Sequence, residues 1–351
     1  MAHYERRGHE CAAAHTAPVH RTEAVAFAGQ VAPGALSVDL GCGAGRYLSF
    51  LGRPTVGLDA SPAMLAAARA AEPGAPLVCA DVERLPFRRA SLGGAWSWMT
   101  QQHLPRHRMP LALWDLQRAL RVGAPLAVQV RAGDGEGVGV PGDVLGTRFF
   151  ASWSPDRLAE VVFGGGFDVV PDSVVVEGDE VRLRAVRART LADTVAPGMQ
   201  LLVCGVNPAL YSADVGVGYG RPGNRFWPAA LRAGIVTRDR DPYDALVSHG
   251  MGMTDFVKRA TRTAAEVTTS EYRQGYRRVE RLVQWLEPAA VCFVGLSGWR
   301  AAVDPKAGPG WQPCGVGGRP AYVMPSTSGL NARTPLAELA DHLLAAAAGP
   351  P

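Results

Sequence analysis

The first half of the chain alternates short apolar runs with helical stretches rich in alanine and leucine. The runs with strand character cover residues 36–40, 55–58, 76–80, 94–99 and 125–131. Helical periodicity covers residues 62–71 and 110–120, which lie between those runs. This alternation predicts a parallel sheet with covering helices.

Two further strands are predicted at residues 167–177 and 180–188. They flank Gly178-Asp179, a dipeptide typical of a hairpin turn. The last strand of this half is therefore expected to run antiparallel to its neighbour.

The pattern restarts after the turn at Pro197-Gly198 with a new buried strand at residues 201–206. Helices are predicted at 226–233, 272–286 and 335–348, and strands at 290–295 and 321–324. The restart predicts two domains, residues 1–190 and residues 191–351. A length of 351 residues suits two packed domains, since single domains usually hold about 100–200 residues.

Composition narrows the classes of protein further. The net charge of +4 is too small to establish nucleic-acid binding on its own. No uncharged apolar run reaches about 18 residues and no apolar core follows the N-terminus, so neither a membrane span nor export is expected. We expect a cytoplasmic, nucleoid-associated protein.

The six cysteines carry no CxxC spacing, which argues against a zinc site or an iron–sulfur cluster. No metal is therefore expected. Cys42, Cys79, Cys204 and Cys292 lie in apolar, strand-like surroundings and are predicted to be small buried side chains.

A glycine-rich loop follows the first predicted strand directly. Asp39 closes that strand, and Gly41, Gly43 and Gly45 come at alternate positions after it, before a predicted helix. Glycines at this spacing allow the backbone to approach a ligand closely.

Two carboxylates follow at the ends of the next two strands. Asp59 ends the second strand, where a carboxylate suits the hydroxyls of a ribose. Asp81 follows the third strand, where a carboxylate can accept a hydrogen bond from an adenine amino group. Together with the loop they predict a nucleoside-containing cofactor.

These three strand ends resemble those of the class I S-adenosylmethionine-dependent methyltransferases, over roughly residues 30–190. The resemblance implies a Rossmann-like sheet that binds S-adenosylmethionine, and an NAD-type Rossmann domain is the alternative. The methyl acceptor is unknown, because the motifs of amino-group and cytosine-C5 methylation are missing. His103 is either a base or a structural residue at the rim.

Four blocks stand out in the second half. Gly205-Val206-Asn207-Pro208 ends an apolar strand, and residues 219–227 and 252–259 form the next two blocks. The last block, residues 324–330, also follows a strand. Ligand sites of α/β sheets lie at such carboxyl ends.

In order and spacing, the blocks resemble the mismatch-specific uracil-DNA and thymine-DNA glycosylases, over nearly all of residues 197–345. The resemblance implies an α/β/α sandwich of the uracil-DNA-glycosylase type. The expected substrate is double-stranded DNA with uracil or a mismatched pyrimidine. The reaction is hydrolysis of the N-glycosidic bond, with no cofactor and no lyase step.

The resemblance assigns roles around the first block. Asn207 orients the attacking water, because an amide cannot act as a general base near neutral pH. Gly205, Val206 and Pro208 line the base pocket, and the backbone N–H groups of residues 207–210 are expected to bind the oxygens of the leaving base.

Two further side chains complete the predicted base pocket. Tyr219 matches the aromatic residue on which the extruded base stacks, or else is a core aromatic. Ser212 matches the position beside the C5 edge of the pyrimidine. Because faster uracil enzymes have Asp at the comparable strand end, Asn207→Asp is expected to keep part of the activity.

The last block implies DNA contacts. Leu330, after Gly329, matches the wedge that fills the gap left by the extruded base. Ser326 and Ser328 are expected to bind phosphates, and Arg333 a phosphate or the unpaired base.

Two points stay open from the sequence alone. The chain is either a DNA glycosylase fused to a methyltransferase, or a methyltransferase whose C-terminal domain binds damaged DNA without catalysis. Lys258 and Arg259 are either solvated charges or phosphate contacts, whereas residues 224–227 are expected to open a helix under the pocket.

Overall fold

The protein is described by a computed structural model over residues 20–139, 146, 148–331 and 333–351. It divides into two compact units, the first ending at Ala188 and the second beginning at Arg189. Independent folding of the two domains, with the predicted boundary after residue 190, stays a prediction. Each unit is a mixed α/β structure with its own sheet.

The first unit has ten strands, eight in one main sheet and two in one small sheet, among the residues described here. They are β1 Ser37–Leu40, β2 Thr55–Asp59, β3 Leu77–Cys79, β4 Gly94–Trp98, β5 Pro125–Arg131, β6 Glu136–Val138, β7 Phe149–Ala151, β8 Phe167–Val169, β9 Val175–Glu177 and β10 Glu180–Arg187. The main sheet has the order β3-β2-β1-β4-β5-β10-β8, and β9 pairs with β10. β6 and β7 form the small sheet.

The direction of the strands follows the prediction. β1 to β5 are parallel, whereas β10 is antiparallel to both β5 and β8. The hairpin at Gly178-Asp179 is confirmed, since β9 and β10 pair across it. The strand predicted at 167–177 is in fact two strands, because the chain turns at Asp172, which has a positive φ of 55°.

The helices of this unit cover the sheet. They are α1 Arg21–Ala28, α2 Pro62–Ala71, α3 Met109–Ala119 and α4 Pro155–Gly164. α2 begins as its sequence requires, because the Ser61 hydroxyl accepts the N–H of Met64 and Pro62 occupies the first turn. The sequence did not predict α1 and α4.

The glycine loop does not lead into the helix that was predicted after it. Residues 43–50 form consecutive turns instead. Gly43 and Gly45 have positive φ values of 54° and 82°, which break the helical hydrogen-bond pattern. The next regular helix after the loop is α2.

The second unit is built on one five-stranded sheet. Its strands are β11 Leu201–Gly205, β12 Met251–Asp255, β13 Ala290–Val294, β14 Gly310–Trp311 and β15 Ala321–Met324. The order is β12-β11-β13-β15-β14, and all pairs are parallel except β14 with β15. β11 is thus a central strand, and its carboxyl end lies beside that of β12.

Helices cover both faces of this sheet. They are α5 Leu210–Val215, α6 Phe226–Arg232, α7 Pro242–His249, α8 Thr269–Leu286, α9 Leu296–Ala302 and α10 Leu336–Ala348. On one face Phe226 and Trp227 of α6 pack in a core with Leu339 and Leu343 of α10. On the other face Phe293 of β13 packs against α9, so the predicted three-layer architecture is confirmed.

The opening of α6 agrees with the prediction for residues 224–227. Phe226 and Trp227 are fully buried, and the Asn224 side chain accepts the N–H of Phe226. This block is therefore scaffold.

The cysteine prediction is wrong at one position. Cys42, Cys204 and Cys292 are buried, but Cys79 is exposed. Cys79 ends β3, which forms the edge of the sheet. In the described part of the chain, no helix has the length and apolar character needed to cross a bilayer.

We predict that residues 189–351 fold alone, because this unit has its own core. The fragment should unfold in one cooperative thermal transition followed by circular dichroism. A fragment of residues 200–351 is the matched control. It lacks Asp193, which accepts hydrogen bonds from buried Lys258 and Arg278, and losing one partner of a buried charge group costs about 3–5 kcal/mol.

Equal stability of the two fragments would contradict this assignment of the boundary. So would the absence of a transition in the longer fragment.

Candidate active sites

The glycine loop of the first unit passes closely under the end of β4. Gly41 has a φ of +65°, and a Cβ there would lie 2.4 Å from Thr100 Oγ1. The Thr100 hydroxyl donates to the carbonyl of Leu40 at 2.7 Å. Only glycine fits at this position, so the loop is fixed at the carboxyl end of β1.

Asp59 joins the loop to the next strand. Its carboxylate accepts the backbone N–H groups of Gly43 at 2.9 Å and of Ser61 at 2.8 Å. Burial raises the pKa of Asp59 above its ordinary value. Each oxygen keeps a lone pair for a ligand hydroxyl.

Asp39 lies close to this arrangement and is 2% exposed. Its Oδ2 atom is buried and has no hydrogen-bond partner. Burial raises the pKa of Asp39 well above its ordinary value, and the charge of Asp59 adds to the effect. A buried acceptor without a partner is suited to a ligand that brings a donor.

Asp81 and His103 are the other predicted residues of the first unit. Asp81 is exposed, and it accepts the N–H of Glu83 at 3.0 Å. The His103 ring is within 2.8 Å of the Phe149 carbonyl and packs on Phe150. His103 therefore has a structural place in the fold.

In the second unit, the Asn207 side chain is held in one orientation. Its Nδ2 atom donates to the carbonyls of Arg259 at 2.9 Å and Pro208 at 3.3 Å, and to Thr261 Oγ1 at 2.7 Å. All three partners are acceptors, so the nitrogen must face them. The amide oxygen is left to accept a hydrogen bond from another group.

The turn after β11 is fastened to the segment after β12. The carbonyls of Gly205 and Val206 accept the N–H groups of Phe256 at 2.8 Å and Val257 at 3.0 Å. Pro208 likewise accepts from Thr261 at 3.1 Å. These bonds set the position of the whole first block.

The expected anion site of backbone N–H groups is smaller than predicted. The N–H of Leu210 donates to the Thr261 carbonyl at 3.1 Å and so is not available to a base. Among the described contacts, none uses the N–H of Asn207 or of Ala209. Those two donors remain for a ligand.

Tyr219 lies half-buried with its ring stacked on Phe226, 4.2 Å between centroids and 18° between planes. Its φ of 55° is uncommon for a residue with a side chain. The Trp227 indole donates to the Gly218 carbonyl at 2.8 Å and fixes the preceding residue. The aromatic ring is thus supported from below by the core.

Ser212, the remaining predicted pocket residue, lies in α5 and is 3% exposed. Its carbonyl accepts the N–H groups of Gly216 at 2.8 Å and Val217 at 3.2 Å. The contacts place Ser212 at the start of the loop that carries Tyr219.

A buried group of charges lies at the carboxyl end of β12. Asp193 accepts hydrogen bonds from Lys258 Nζ at 2.8 Å, Arg278 Nη1 at 2.7 Å and Thr254 Oγ1 at 2.7 Å. Burial alone would raise the pKa of Asp193, but Arg278 and Lys258 outweigh burial and hold it below its ordinary value. Lys258 is 5% exposed, so both open readings of it, solvated charge and phosphate contact, are wrong.

Arg259 is instead exposed and paired. Its guanidinium donates to the carboxylate of Glu271 at 2.7 and 3.1 Å and to the Glu266 carbonyl at 2.9 Å. The backbone carbonyl of Arg259 accepts the hydrogen bond from the Asn207 side-chain nitrogen. Arg259 thus helps to fix the turn.

Asp255 was not singled out from the sequence, yet it lies beside the first block. It ends β12 in register with Gly205. A Cβ at Gly205 would lie 2.4 Å from Asp255 Oδ1 and 3.0 Å from the Tyr219 hydroxyl. The pairing register could have found Asp255, but a single sequence does not show which strand is the neighbour of β11.

The loop with Leu330 is braced by Arg225, another residue without a predicted role of its own. The Arg225 guanidinium donates to the carbonyls of Thr334 at 2.5 Å and Ser328 at 3.5 Å, and also to Asn331. Three carbonyls of one loop thus converge on one planar cation.

The predicted DNA-contact residues lie on this loop. Leu330 is 92% exposed, and Gly329 and Arg333 are exposed as well. The hydroxyls of Ser326 and Ser328 accept N–H groups of the loop itself, at 3.3 and 3.4 Å. Leu330 is thus an exposed apolar side chain on the loop that Arg225 braces.

Known families match both units. Residues 38–128 match the family described as a methyltransferase domain. Residues 192–346 match the uracil DNA glycosylase superfamily. The chain therefore carries a methyltransferase domain followed by a domain of the uracil DNA glycosylase superfamily.

Several solved structures are similar in part. A SAM-dependent methyltransferase from Methanosarcina mazei is 14% identical with a TM-score of 0.41, over 46% of this chain and 95% of its own. The 1,6-didemethyltoxoflavin-N1-methyltransferase of Burkholderia thailandensis is 18% identical with a TM-score of 0.44, over 53% of this chain and 86% of its own.

We predict that Arg225→Gln loosens residues 326–331 and 333–334, because the amide cannot bridge three carbonyls. Backbone hydrogen exchange of residues 328–334 should become at least tenfold faster, on the scale of one to two lost charge-assisted hydrogen bonds of about 1.5–3 kcal/mol each. Arg221→Gln, on the exposed neighbouring turn, is the control and should leave the exchange unchanged. Unchanged protection in Arg225→Gln would show that the loop is held by other contacts.

Proposed function

We propose that the second unit is a DNA glycosylase that removes uracil, and other pyrimidines mispaired with guanine, by hydrolysis. The observation that carries this proposal is the Asn207 amide. Its nitrogen is bonded to three acceptors, and its oxygen is left to orient a water molecule. A retired site would have no need to keep that oxygen free.

The base has to leave the duplex before it can reach Asn207. Tyr219 offers a face for stacking, since Phe226 supports the ring from the opposite side. Leu330 is exposed on the braced loop and is suited to fill the gap in the stack. Arg333 on the same loop supplies a charge for a phosphate or for the unpaired base.

Hydrolysis then needs a water molecule at the sugar carbon and stabilisation of the departing base. The Asn207 oxygen accepts a hydrogen bond from the water and thereby directs its lone pair at the sugar carbon. The unused N–H groups of Asn207 and Ala209 are donors for an oxygen of the base. Lys258 is bonded to Asp193, which supports hydrolysis without a Schiff base.

The second candidate is a module that binds damaged DNA without catalysis. The exposed Leu330 would serve both functions equally well. The fixed Asn207 amide favours the glycosylase, because binding alone does not need an oriented water.

We predict that Asn207→Ala lowers single-turnover excision of uracil opposite guanine by about 100-fold or more, the scale of a positioned catalytic group. Affinity for the same duplex should stay within a few-fold, since Tyr219 and Leu330 remain. Leu330→Ala is the contrasting variant and should lose more on duplex than on single-stranded substrate. Excision by Asn207→Ala at the parent rate would leave the binding module as the better assignment.

The structure also revises the expectation for Asn207→Asp. The new carboxylate would point an oxygen at the carbonyls of Pro208 and Arg259, where the parent has an N–H donor. Because like partial charges repel, the variant should be nearly as slow as Asn207→Ala at pH 8. The same excision assay can test this comparison.

For the first unit we propose S-adenosylmethionine binding and methyl transfer to an acceptor still to be identified. The buried Asp39 oxygen without a partner and the lone pairs of Asp59 fit a ligand with an amino group and ribose hydroxyls. Gly41, Gly43 and Gly45 would let the loop approach it, with Asp81 near the adenine. When bound, the cofactor would supply the methyl group.

We predict that Asp59→Ala weakens S-adenosylmethionine binding by about 1–3 kcal/mol, the cost of leaving hydrogen-bonding groups unpaired. Titration calorimetry on the full chain measures the change. Asp179→Ala, in the exposed hairpin turn, is the matched control and should bind like the parent. Equal affinity of the two variants would remove Asp59 from the cofactor site.

A further inference from the structure

One carboxyl of the glycosylase-like unit has no role in the fold or in the mechanism above. Asp255 is 9% exposed, and its Oδ1 atom lies 2.4 Å from the position that a Cβ on Gly205 would take. In the described part of the chain, nothing donates a hydrogen bond to its carboxyl. The nearby Tyr219 hydroxyl is buried and also lacks a partner.

The contrast with Asp193 shows that this is not a general property of the unit. Asp193 is 3% exposed, and three donors surround it. Lys258 and Arg278 face both carboxyls but are bonded to Asp193. The only hydrogen bond from Arg278 to Asp255 in the described structure goes to the backbone carbonyl of Asp255, at 2.7 Å.

The surroundings of Asp255 therefore shift its pKa in the opposite direction from the pKa of Asp193. Burial raises the pKa of Asp255 to about 6, against the opposing charge of Lys258, while Asp193 adds to the rise and Arg278 opposes it. Tyr219 and Cys204 face it as neutral groups, because burial raises the pKa of both. A base that covers the site would remove the remaining water and raise the pKa further.

We propose that Asp255, in its neutral form, is a catalytic acid that donates its carboxyl proton to an oxygen of the departing pyrimidine. The proposal rests on the glycosylase function proposed above. The position of its carboxyl beside Gly205 and the Tyr219 hydroxyl, and the missing hydrogen-bond partner, carry it. Carboxyls with opposite pKa shifts in one site commonly divide the acid role from the structural one.

The step balances without a further reagent. The bond between the sugar carbon and the base nitrogen breaks, and its electron pair passes to the base, whose oxygens become basic. Asp255 donates its proton to one of them, and the water oriented by Asn207 bonds to the sugar carbon and releases a proton. That proton returns the carboxylate to its neutral form through solvent.

The proposal fixes the direction of the pH dependence. Activity needs the neutral carboxyl, so excision should be fastest at low pH and should fall as pH rises through the pKa. Each further pH unit should cost about tenfold, until another pathway takes over. A carboxylate that activates water would produce the opposite slope.

The test is single-turnover excision of uracil opposite guanine by the full chain, from pH 5 to pH 8.5. The parent should slow by 10-fold or more across this range, with a midpoint at or above pH 6. The excision rate of Asp255→Asn should be slow and independent of pH, because its amide has nearly the same shape and can offer a hydrogen bond but cannot transfer a proton. The excision rate of Asp255→Ala should not change with pH and should be about the rate of the parent at pH 8.5.

Duplex affinity measured at each pH separates binding from chemistry. A parent that excises uracil with a flat profile, or faster as pH rises, overturns the acid role and leaves the glycosylase function standing. The same holds if Asp255→Ala keeps the slope of the parent. A parent that excises no uracil at any pH overturns both.

Discussion

The buried pairing of Asp193 with Lys258 and Arg278 is the interaction on which the second site depends. Arg278 of α8 also donates to the Asp255 carbonyl and so fixes the end of β12. The two residues that follow β12 in turn donate their backbone N–H groups to the carbonyls of Gly205 and Val206. Removal of one partner would leave an uncompensated buried charge, at a cost of about 3–5 kcal/mol.

Under the proposed function, that arrangement fixes the side chain that would orient the water. The Asn207 nitrogen is held by acceptors that themselves belong to fixed backbone. The loop with Leu330 is held in a different way, because the guanidinium of Arg225 donates to three of its carbonyls. Its apolar side chain Leu330 stays exposed, so under the proposed function the loop would already be ordered before DNA binds.

The two units share one feature of backbone packing. In each, a strand ends in a turn that passes tightly over a neighbouring strand, and a glycine provides the room. At Gly41 the space is filled by Thr100, whereas at Gly205 it is bordered by Asp255 and Tyr219. Each turn leaves a buried or nearly buried carboxyl oxygen without a hydrogen bond in the described structure.

The chain by itself determined the two-domain α/β organisation, the parallel direction of the strands and the place of Asn207 at a strand end. These follow from local periodicity and from turn residues, which a single sequence contains. The helices α1 and α4 were missed, since their stability comes from packing on a sheet more than from pattern.

Only the tertiary structure decided which polar groups meet. It paired Lys258 with Asp193, turned the Asn207 nitrogen toward carbonyls and so reversed the expectation for an aspartate there. It also placed Asp255 beside Gly205, and it placed the Arg225 guanidinium against three carbonyls of the loop with Leu330. The physical reason is that hydrogen bonds and pKa values depend on distances between residues far apart in the chain, and strand order fixes those distances.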